Sequence, residues 1–222
     1  MAFLNTIRDS LLNIVFPTKC ISCGKNGKDL CIICLSEIPT AERETAKWIF
    51  PLYDYRHPPT KKTLWMLKYK GKKRLANIFA EVLYEKIMEE LSELSMLENF
   101  RDPIIISIPL SAKRYKERGY NQAELICKEL LKLDKDKNFC LEKNILIKQK
   151  ETEHQAQIKD RNIRLRNILG SFSVKSGEEN KIKNRNIILI DDITTTGATL
   201  NEARKILKKS GAKKVIAFTV AH

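Results

Sequence analysis

The second half of the chain alternates short aliphatic runs with segments whose apolar residues recur at helical spacing. Strand-like runs lie at 102–110, 144–148, 171–174, 187–190 and 213–221, and helical patterns lie around 121–133 and 199–210. Aliphatic strands of this kind are buried on both faces of a sheet, and their alternation with helices indicates a parallel, doubly wound α/β sheet. Ligands of such sheets gather at the C-terminal ends of the strands.

The chain is long enough for one medium domain and a small additional module. It has 222 residues, of which 43% are hydrophobic. A helical pattern from Leu75 to about Asn99 precedes the alternating region. We therefore divide the chain into an N-terminal helix and metal-binding module (1–46), a helical linker or hood region (47–100) and the sheet domain (101–222).

Charge favours an anionic partner. Lys and Arg number 41 against 27 Asp and Glu, which leaves a formal net charge of +14. Such a surplus is typical of proteins that bind phosphate groups or nucleic acid, although charge alone does not name the partner. The amphipathic segment 1–17 has no small-residue cleavage site and is predicted to be a packed helix. With no run of apolar residues long enough to span a bilayer, the expectation is a soluble cytoplasmic protein.

Four cysteines form two C-x2-C pairs separated by seven residues: Cys20, Cys23, Cys31 and Cys34. This spacing is typical of a structural Zn2+ site, in which four thiolates surround the metal. The alternative is a pair of redox dithiols or disulfides, which a cytoplasmic chain disfavours. We expect the module to build a core separate from the sheet, and the other two cysteines, Cys127 and Cys140, to be buried thiols.

The segment from Arg56 to Arg74 is strongly basic and carries no acid. Its aromatic residues Trp65 and Tyr69 are four positions apart, so they share one face of a helix. Aromatic rings among cations are typical of single-stranded nucleic acid sites, and the candidate contacts are Trp65, Lys68, Tyr69, Lys72 and Lys73. The alternative, in which Leu64, Trp65 and Leu67 are core and the lysines are merely solvated, fits the pattern equally well.

The stretch IILIDDITTTGATL, residues 187–200, places two carboxylates at the end of a predicted strand. The threonine-rich turn that follows leads into a helix, whose unpaired N–H groups can cradle a phosphate. Ionised carboxylates only accept hydrogen bonds, which suits a pair of sugar hydroxyls. The two features together fit a phosphorylated sugar with a free vicinal diol.

Residues 187–199 resemble the phosphoribosyl pyrophosphate motif of type I phosphoribosyltransferases. The resemblance implies that Asp191 and Asp192 hold the ribose hydroxyls, and that the following turn holds the 5′-phosphate through Thr194, Thr195, Thr196, Gly197, Ala198 and Thr199. Phosphoribosyl transfer in that class uses Mg2+ to bridge the diphosphate and the ribose hydroxyls. The fold implied is a type I phosphoribosyltransferase-like sheet with a small N-terminal zinc module and a helical insert.

Further segments are similar to the ComF family of competence-associated proteins: the four-cysteine module, LKYKG, IPLSAKRYKERGYNQAEL and RLRNILGSF. In this resemblance the pyrophosphate loop comprises Pro109, Leu110 and Ser111, with Arg114 and Arg118 supplying charged donors. Residues 118–122 match the family's RG(F/Y)NQ signature, whose simpler interpretation is a helix start with Asn121 near the cap. Residues 148–167 occupy the place of the flexible catalytic loop, with family-like positions at Gln155, Arg164 and Asn167.

The ComF resemblance implies a role in DNA uptake during natural transformation, through contact with single-stranded DNA in the cytoplasm and with competence-machinery proteins. Catalytic residues stay unassigned, because no acceptor-base pocket is recognisable after Thr219. Two classes of function remain open. One is a module that binds phosphoribosyl pyrophosphate without consuming it, and the other is an active phosphoribosyltransferase of nucleotide metabolism with an unidentified acceptor.

Overall fold

A computed structural model describes residues 18–42, 46–149 and 168–222. The predicted N-terminal helix at 1–17 lies outside these residues. So do the family-like positions Gln155, Arg164 and Asn167.

A five-stranded parallel sheet forms the centre of the described structure. Its strands in chain order are β1 (Ile49–Tyr53), β2 (Ile104–Ser107), β3 (Cys140–Leu141), β6 (Asn186–Ile193) and β7 (Lys214–Ala221). Their spatial order is β1-β7-β6-β2-β3, and every pair is parallel. In the β2–β6 pair, Ile104 lies beside Ile187 and Ser107 lies beside Ile190.

Six α-helices are present in the described residues: α1 (Ile32–Ser36), α2 (Pro58–Tyr69), α3 (Leu75–Glu98), α4 (Ala112–Arg118), α5 (Gln122–Leu133) and α6 (Ala198–Lys209). Helix α2 begins with two prolines, which are tolerated in a first turn because its N–H groups have no helical partner. The long helix α3 ends at Glu98, which confirms the predicted end at about Asn99, and its C-cap Asn99 adopts the left-handed conformation.

The two faces of the sheet pack into two different cores. Ile188, Ile190 and Phe218 point toward α3 and α5, while Ile187, Leu189 and Ala217 point toward α6. The alternation follows from the two-residue period of a strand, which sends neighbouring side chains to opposite faces. Both faces are therefore covered, and the doubly wound sheet predicted from the aliphatic runs is confirmed.

The order of the strands reverses between β2 and β6. From β2 the chain goes outward to β3, whereas from β6 it goes outward to β7 on the other side. The loops after β2 and β6 therefore diverge and leave a crevice at the C-terminal edge of the sheet. The predicted pyrophosphate loop follows β2, and the two aspartates lie at the end of β6.

Two parts of the strand assignment were incomplete. The runs at 144–148 and 171–174 form β4 (Leu146–Lys148) and β5 (Phe172–Val174), an antiparallel pair outside the main sheet. Conversely, β1 was not predicted, because its IFPLY sequence contains a proline and lies in a region assigned as helical. Edge position explains how the sheet tolerates Pro51, since an edge strand has one side free of ladder hydrogen bonds.

The expectation that the four-cysteine module has its own core is wrong. Cys20, Leu30, Cys34 and Ile38 belong to the same buried cluster as residues of α2 and α3, including Leu64 and Phe79. Hydrogen bonds also join the module to β1, from Ala41 N to Leu52 O and from Asp54 N to Pro39 O. A module of this size is too small to bury a hydrophobic core of its own, so its apolar side chains pack against the helices.

The two remaining cysteines differ in their surroundings. Cys127 is buried in α5, as predicted, whereas Cys140 is exposed. Cys140 begins the two-residue edge strand β3, beyond which the described residues form no further strand.

Candidate functional site

A cleft of about 450 Å3 lies at the C-terminal edge of the sheet, where the strand order reverses. Its walls come from the loop after β2, the end of β6, helix α2 and strand β4. Among the predicted site residues, those on its wall are Trp65, Lys68, Tyr69, Pro109, Leu110, Arg114, Arg118, Asp191, Asp192, Thr195 and Thr199. One cleft thus brings together three sets of candidates that were predicted from separate segments.

The two aspartates at the end of β6 are in different environments. Burial and the neighbouring Asp192 carboxylate raise the pKa of Asp191 to about 7. The negative charge of Asp192 is compensated by Lys68 on helix α2, because its Oδ1 lies 3.0 Å from Lys68 Nζ. The backbone N–H of Asp192 also donates to Oδ1 of Asp191 at 2.9 Å. A cationic or hydroxyl-bearing ligand would favour ionisation of Asp191.

The turn after β6 supplies only part of its side chains to the cleft. Thr195 and Thr199 lie on the wall, whereas Thr194, Thr196, Gly197 and Ala198 do not. Thr194 is buried and its N–H donates to Ala221 O at 2.9 Å, which anchors the turn to β7. Gly197 has φ +68, a left-handed conformation that favours glycine directly before helix α6.

The loop after β2 is held by hydrogen bonds from the helices that follow it. Ser111 is buried and does not reach the wall; its hydroxyl caps α4 by accepting from Arg114 N at 3.4 Å. Asn121 caps α5 by accepting from Ala123 N at 3.0 Å, and its side-chain amide donates to Ile108 O at 2.9 Å. The cap suggested as the simpler interpretation of Asn121 is therefore present, and the same side chain also fixes the loop.

Cations outnumber acids on the cleft wall. The basic side chains there are Lys61, Lys68, Arg114, Arg118 and Lys148, against Asp191 and Asp192. Burial, together with the nearby Arg114, lowers the pKa of Lys148 to about 8. Burial likewise lowers the pKa of Arg114, and Arg118 adds to the shift. Cations that repel one another in a partly buried cleft are stabilised by a bound polyanion.

Lys148, Lys61 and Tyr55 lie on this wall but were not among the predicted site residues. Lys148 is the last residue of strand β4, which pairs with β5 outside the main sheet and so reaches the cleft. The NILIK sequence predicts a strand but does not show that this strand lies beside the cleft. Lys61 belongs to the basic segment already singled out, so its charge was a usable signal.

The five predicted DNA contacts separate into two groups. Trp65 and Tyr69 are each 47% exposed with ring centroids 6.2 Å apart, and Lys68 points to Asp192. Lys72 instead pairs with the buried Asp29 at 3.0 Å, and Lys73 Nζ lies 4.7 Å from the ring centroid of Tyr120. Leu64 and Leu67 are buried core residues but Trp65 is not, so the core alternative holds for the leucines only.

The four cysteines of the N-terminal module converge on one point. Their sulfur atoms all lie within 4.8 Å of one another, and Cys23 Sγ and Cys31 Sγ are 3.7 Å apart. A regular tetrahedron with zinc–sulfur bonds of about 2.3 Å has sulfur–sulfur edges of about 3.8 Å. The donor set therefore fits Zn2+, with Cys20, Cys23, Cys31 and Cys34 as ligands.

Fold and sequence together define a phosphoribosyltransferase-like domain joined to a four-cysteine module. The family model described as the phosphoribosyl transferase domain matches residues 132–222. Among solved structures, the chain is similar to a hypoxanthine phosphoribosyltransferase from Trypanosoma cruzi, at 11% identity and a TM-score of 0.38 over 66% of this chain and 64% of that one. A hypoxanthine phosphoribosyltransferase from Staphylococcus aureus gives 12% identity and a TM-score of 0.38, covering 67% and 63%.

Curated relatives are consistent with the ComF family that the motifs predicted. The competence protein ComFC of Streptococcus pneumoniae is 34% identical over 153 residues, which cover 69% of this chain and 59% of that protein. ComFC of Bacillus subtilis is 32% identical, covering 72% and 58%. The DNA utilization protein YhgH of Escherichia coli K12 is 25% identical, covering 89% and 81%. The chain thus spans under two thirds of the two ComFC proteins.

Within residues 18–42, 46–149 and 168–222, none of the helices combines the length and the apolar character that crossing a membrane requires.

Proposed function

We propose that this chain binds phosphoribosyl pyrophosphate with Mg2+ in the cleft between β2 and β6. The observation that carries the proposal is the convergence, in one cleft, of the acid pair, the threonine turn and two arginines. These groups match the three parts of the ligand, namely a diol, a monophosphate and a diphosphate. Five basic side chains also give the cleft the excess of positive charge that a polyanion requires.

Each part of the ligand has a matching set of groups. Asp191 and Asp192 accept from the ribose hydroxyls, and Thr195 and Thr199 donate to the 5′-phosphate together with the first N–H groups of α6. Arg114 and Arg118 donate to the diphosphate, for which a planar guanidinium is better suited than an ammonium group. Mg2+, when bound, neutralises diphosphate charge beside the ribose hydroxyls.

We further propose that the protein acts in competence or DNA utilisation and contacts single-stranded DNA inside the cell. The relatives named for competence and DNA utilisation support this role. So does the formal net charge of +14, because association with a DNA backbone is driven by neutralising phosphates. Competence-machinery proteins are the expected protein partners.

Calorimetric titration tests the first part of the proposal. Phosphoribosyl pyrophosphate with Mg2+ should bind with a stoichiometry of one per chain. Ribose 5-phosphate and pyrophosphate should each bind more weakly than the whole ligand, because each meets only half of the cleft. No heat with the whole ligand, from protein shown to be folded, would refute the proposal.

An active phosphoribosyltransferase is the second candidate. It is favoured by the aromatic side chains Trp65 and Tyr69 on the wall, which offer a flat acceptor a place beside the donor site. Pyrophosphate release should then be measured over a panel of nucleobases and oligonucleotides. Release with one of them identifies the acceptor, whereas binding without release leaves the binding module.

A further inference from the structure

Helix α2 places an aromatic platform inside the same cleft as the phosphoribosyl pyrophosphate motif. Trp65 and Tyr69 lie on the cleft wall, each about half exposed, one turn apart on the helix. The opposite face of α2 is fixed, because Leu64 and Leu67 are fully buried. Because this packing opposes rotation of α2 about its axis, the two rings are held facing the cleft.

Arg118 is shared between this platform and the loop after β2. Its guanidinium carbon lies 5.0 Å from the ring centroid of Tyr69, and its Nη2 donates to the Tyr69 hydroxyl at 3.2 Å. Its Nη1 donates to Gln122 Oε1 at 2.8 Å, whereas its Nε is buried without a partner among the described residues. A guanidinium stacked on a ring can serve either a diphosphate or the phosphate beside a stacked base.

Two of the lysines that follow α2 are already engaged elsewhere. Lys72 pairs with Asp29 of the four-cysteine module, and Lys73 lies over the Tyr120 ring. Lys68 and Lys61, by contrast, are on the cleft wall with the two rings. Lys70 Nζ lies 5.1 Å from the Trp65 ring centroid, so the aromatic platform is bordered by this lysine as well as by the cations of the cleft wall.

We propose that a single-stranded DNA end enters this cleft, stacks a base on Trp65 and Tyr69, and thereby excludes phosphoribosyl pyrophosphate. Both ligands are anions, both use Arg118, and the volume of about 450 Å3 is of the size that one such ligand fills. The inference rests on the proposed function, and adds that its two ligands share one site. With a shared site, binding of either ligand directly prevents binding of the other.

Fluorescence anisotropy of a labelled oligothymidine tests the exclusion. With phosphoribosyl pyrophosphate and Mg2+ at ten times the ligand's own Kd, mutual exclusion predicts a DNA Kd about 11-fold higher. By reciprocity, saturating oligothymidine should weaken phosphoribosyl pyrophosphate binding in calorimetry. Sodium sulfate at equal ionic strength, with the same Mg2+ concentration, is the control for screening and should produce a much smaller change.

The platform itself is tested by Trp65→Ala and Tyr69→Ala. Loss of one stacked base predicts DNA binding roughly 5- to 150-fold weaker, with Lys135→Ala, which removes an exposed cation outside the cleft, as the matched control. Wild-type DNA affinity in both aromatic variants would overturn the inference, as would a Lys72→Ala, Lys73→Ala variant that alone loses binding. A stable complex containing both ligands would overturn it too. Failure of the proposed function is seen separately, as absence of phosphoribosyl pyrophosphate binding without DNA, and would remove the exclusion with it.

Discussion

Lys68 Nζ on helix α2 lies 3.0 Å from Asp192 Oδ1 at the end of strand β6, and their side chains are only 15% and 11% exposed. The pair joins the helical segment that precedes the sheet domain to the motif at its centre. Because α2 also packs against the four-cysteine module through the shared core, the acid pair and the module are connected by one helix. The segment is therefore part of the site and not only a linker.

The Lys68–Asp192 pair should contribute to the stability of the fold. Removing one partner leaves the other charge nearly buried and uncompensated, so Lys68→Met and Asp192→Asn should each lower the free energy of unfolding. We expect a coupling energy of about 1 to 3 kcal/mol from the double-mutant cycle. Urea unfolding of the four proteins measures it, and strictly additive effects would show that the pair makes no net interaction.

The purified protein should contain one zinc ion per chain by elemental analysis. Because Cys20 and Cys34 lie in the common core, chelation or Cys31→Ser should destabilise the whole protein and not only the module. A loss of about 3 kcal/mol corresponds to a Tm roughly 6 to 12 °C lower for a domain of this size. Calorimetry should show a single transition that moves, while exposed Cys140→Ser leaves it in place. A separate transition for the module would argue for independent cores after all.

The affinity for phosphoribosyl pyrophosphate should pass through a maximum between pH 7 and pH 8. Binding requires an ionised Asp191, whose pKa is raised to about 7, and a protonated Lys148, whose pKa is lowered to about 8. The affinity should therefore rise with pH through about 7 and fall above about 8. Calorimetric titrations across this range measure both limbs.

Two variants test whether the acidic and alkaline limbs of the affinity–pH profile come from the protein or from titration of the ligand's own phosphates. Asp191→Asn should flatten the acidic limb and Lys148→Met the alkaline limb, each at reduced affinity. A profile in Asp191→Asn that keeps the wild-type acidic limb would assign that limb to the ligand.

Asn121 should be needed both for helix α5 and for the loop after β2. Asn121→Ala removes the cap on Ala123 N and leaves Ile108 O without its side-chain donor, at a cost of about 1 to 3 kcal/mol. Asn121→Asp keeps an acceptor for the cap but loses the donor to Ile108. Chemical denaturation should place the aspartate variant between wild type and the alanine variant. Equal stabilities for Asn121→Ala and wild type would contradict this double role.

Much of the fold could be predicted from local pattern. Aliphatic strands, the period of α3 and α5, and the motif at 187–199 are properties of neighbouring residues, so they are visible in one segment at a time. The zinc ligands were predicted for the same reason, since their spacing is itself the signal. The acid pair at the end of a strand was also expected at the binding edge of the sheet.

The features that could not be predicted depend on contacts between distant segments. Pairing of Lys68 with Asp192 joins residues 124 positions apart, and no local pattern shows which lysine of a basic segment turns inward. Lys148 reaches the cleft only because β4 and β5 leave the main sheet as a hairpin. Strand β1 was missed because Pro51 weakens the strand pattern, while its pairing with β7 over 160 residues away decides the outcome.

The central claim is that Asp191 and Asp192 hold phosphoribosyl pyrophosphate in the cleft, and calorimetry on the Asp191→Asn, Asp192→Asn double variant tests it most directly. The matched control is Glu93→Gln with Asp136→Asn, which removes the same charge from exposed positions outside the cleft. We predict that the control binds phosphoribosyl pyrophosphate and Mg2+ like the wild type, while the folded double variant binds at least tenfold more weakly, a difference of about 1.4 kcal/mol or more. Equal affinity of the double variant and the control would contradict the claim and return the two aspartates to a structural role.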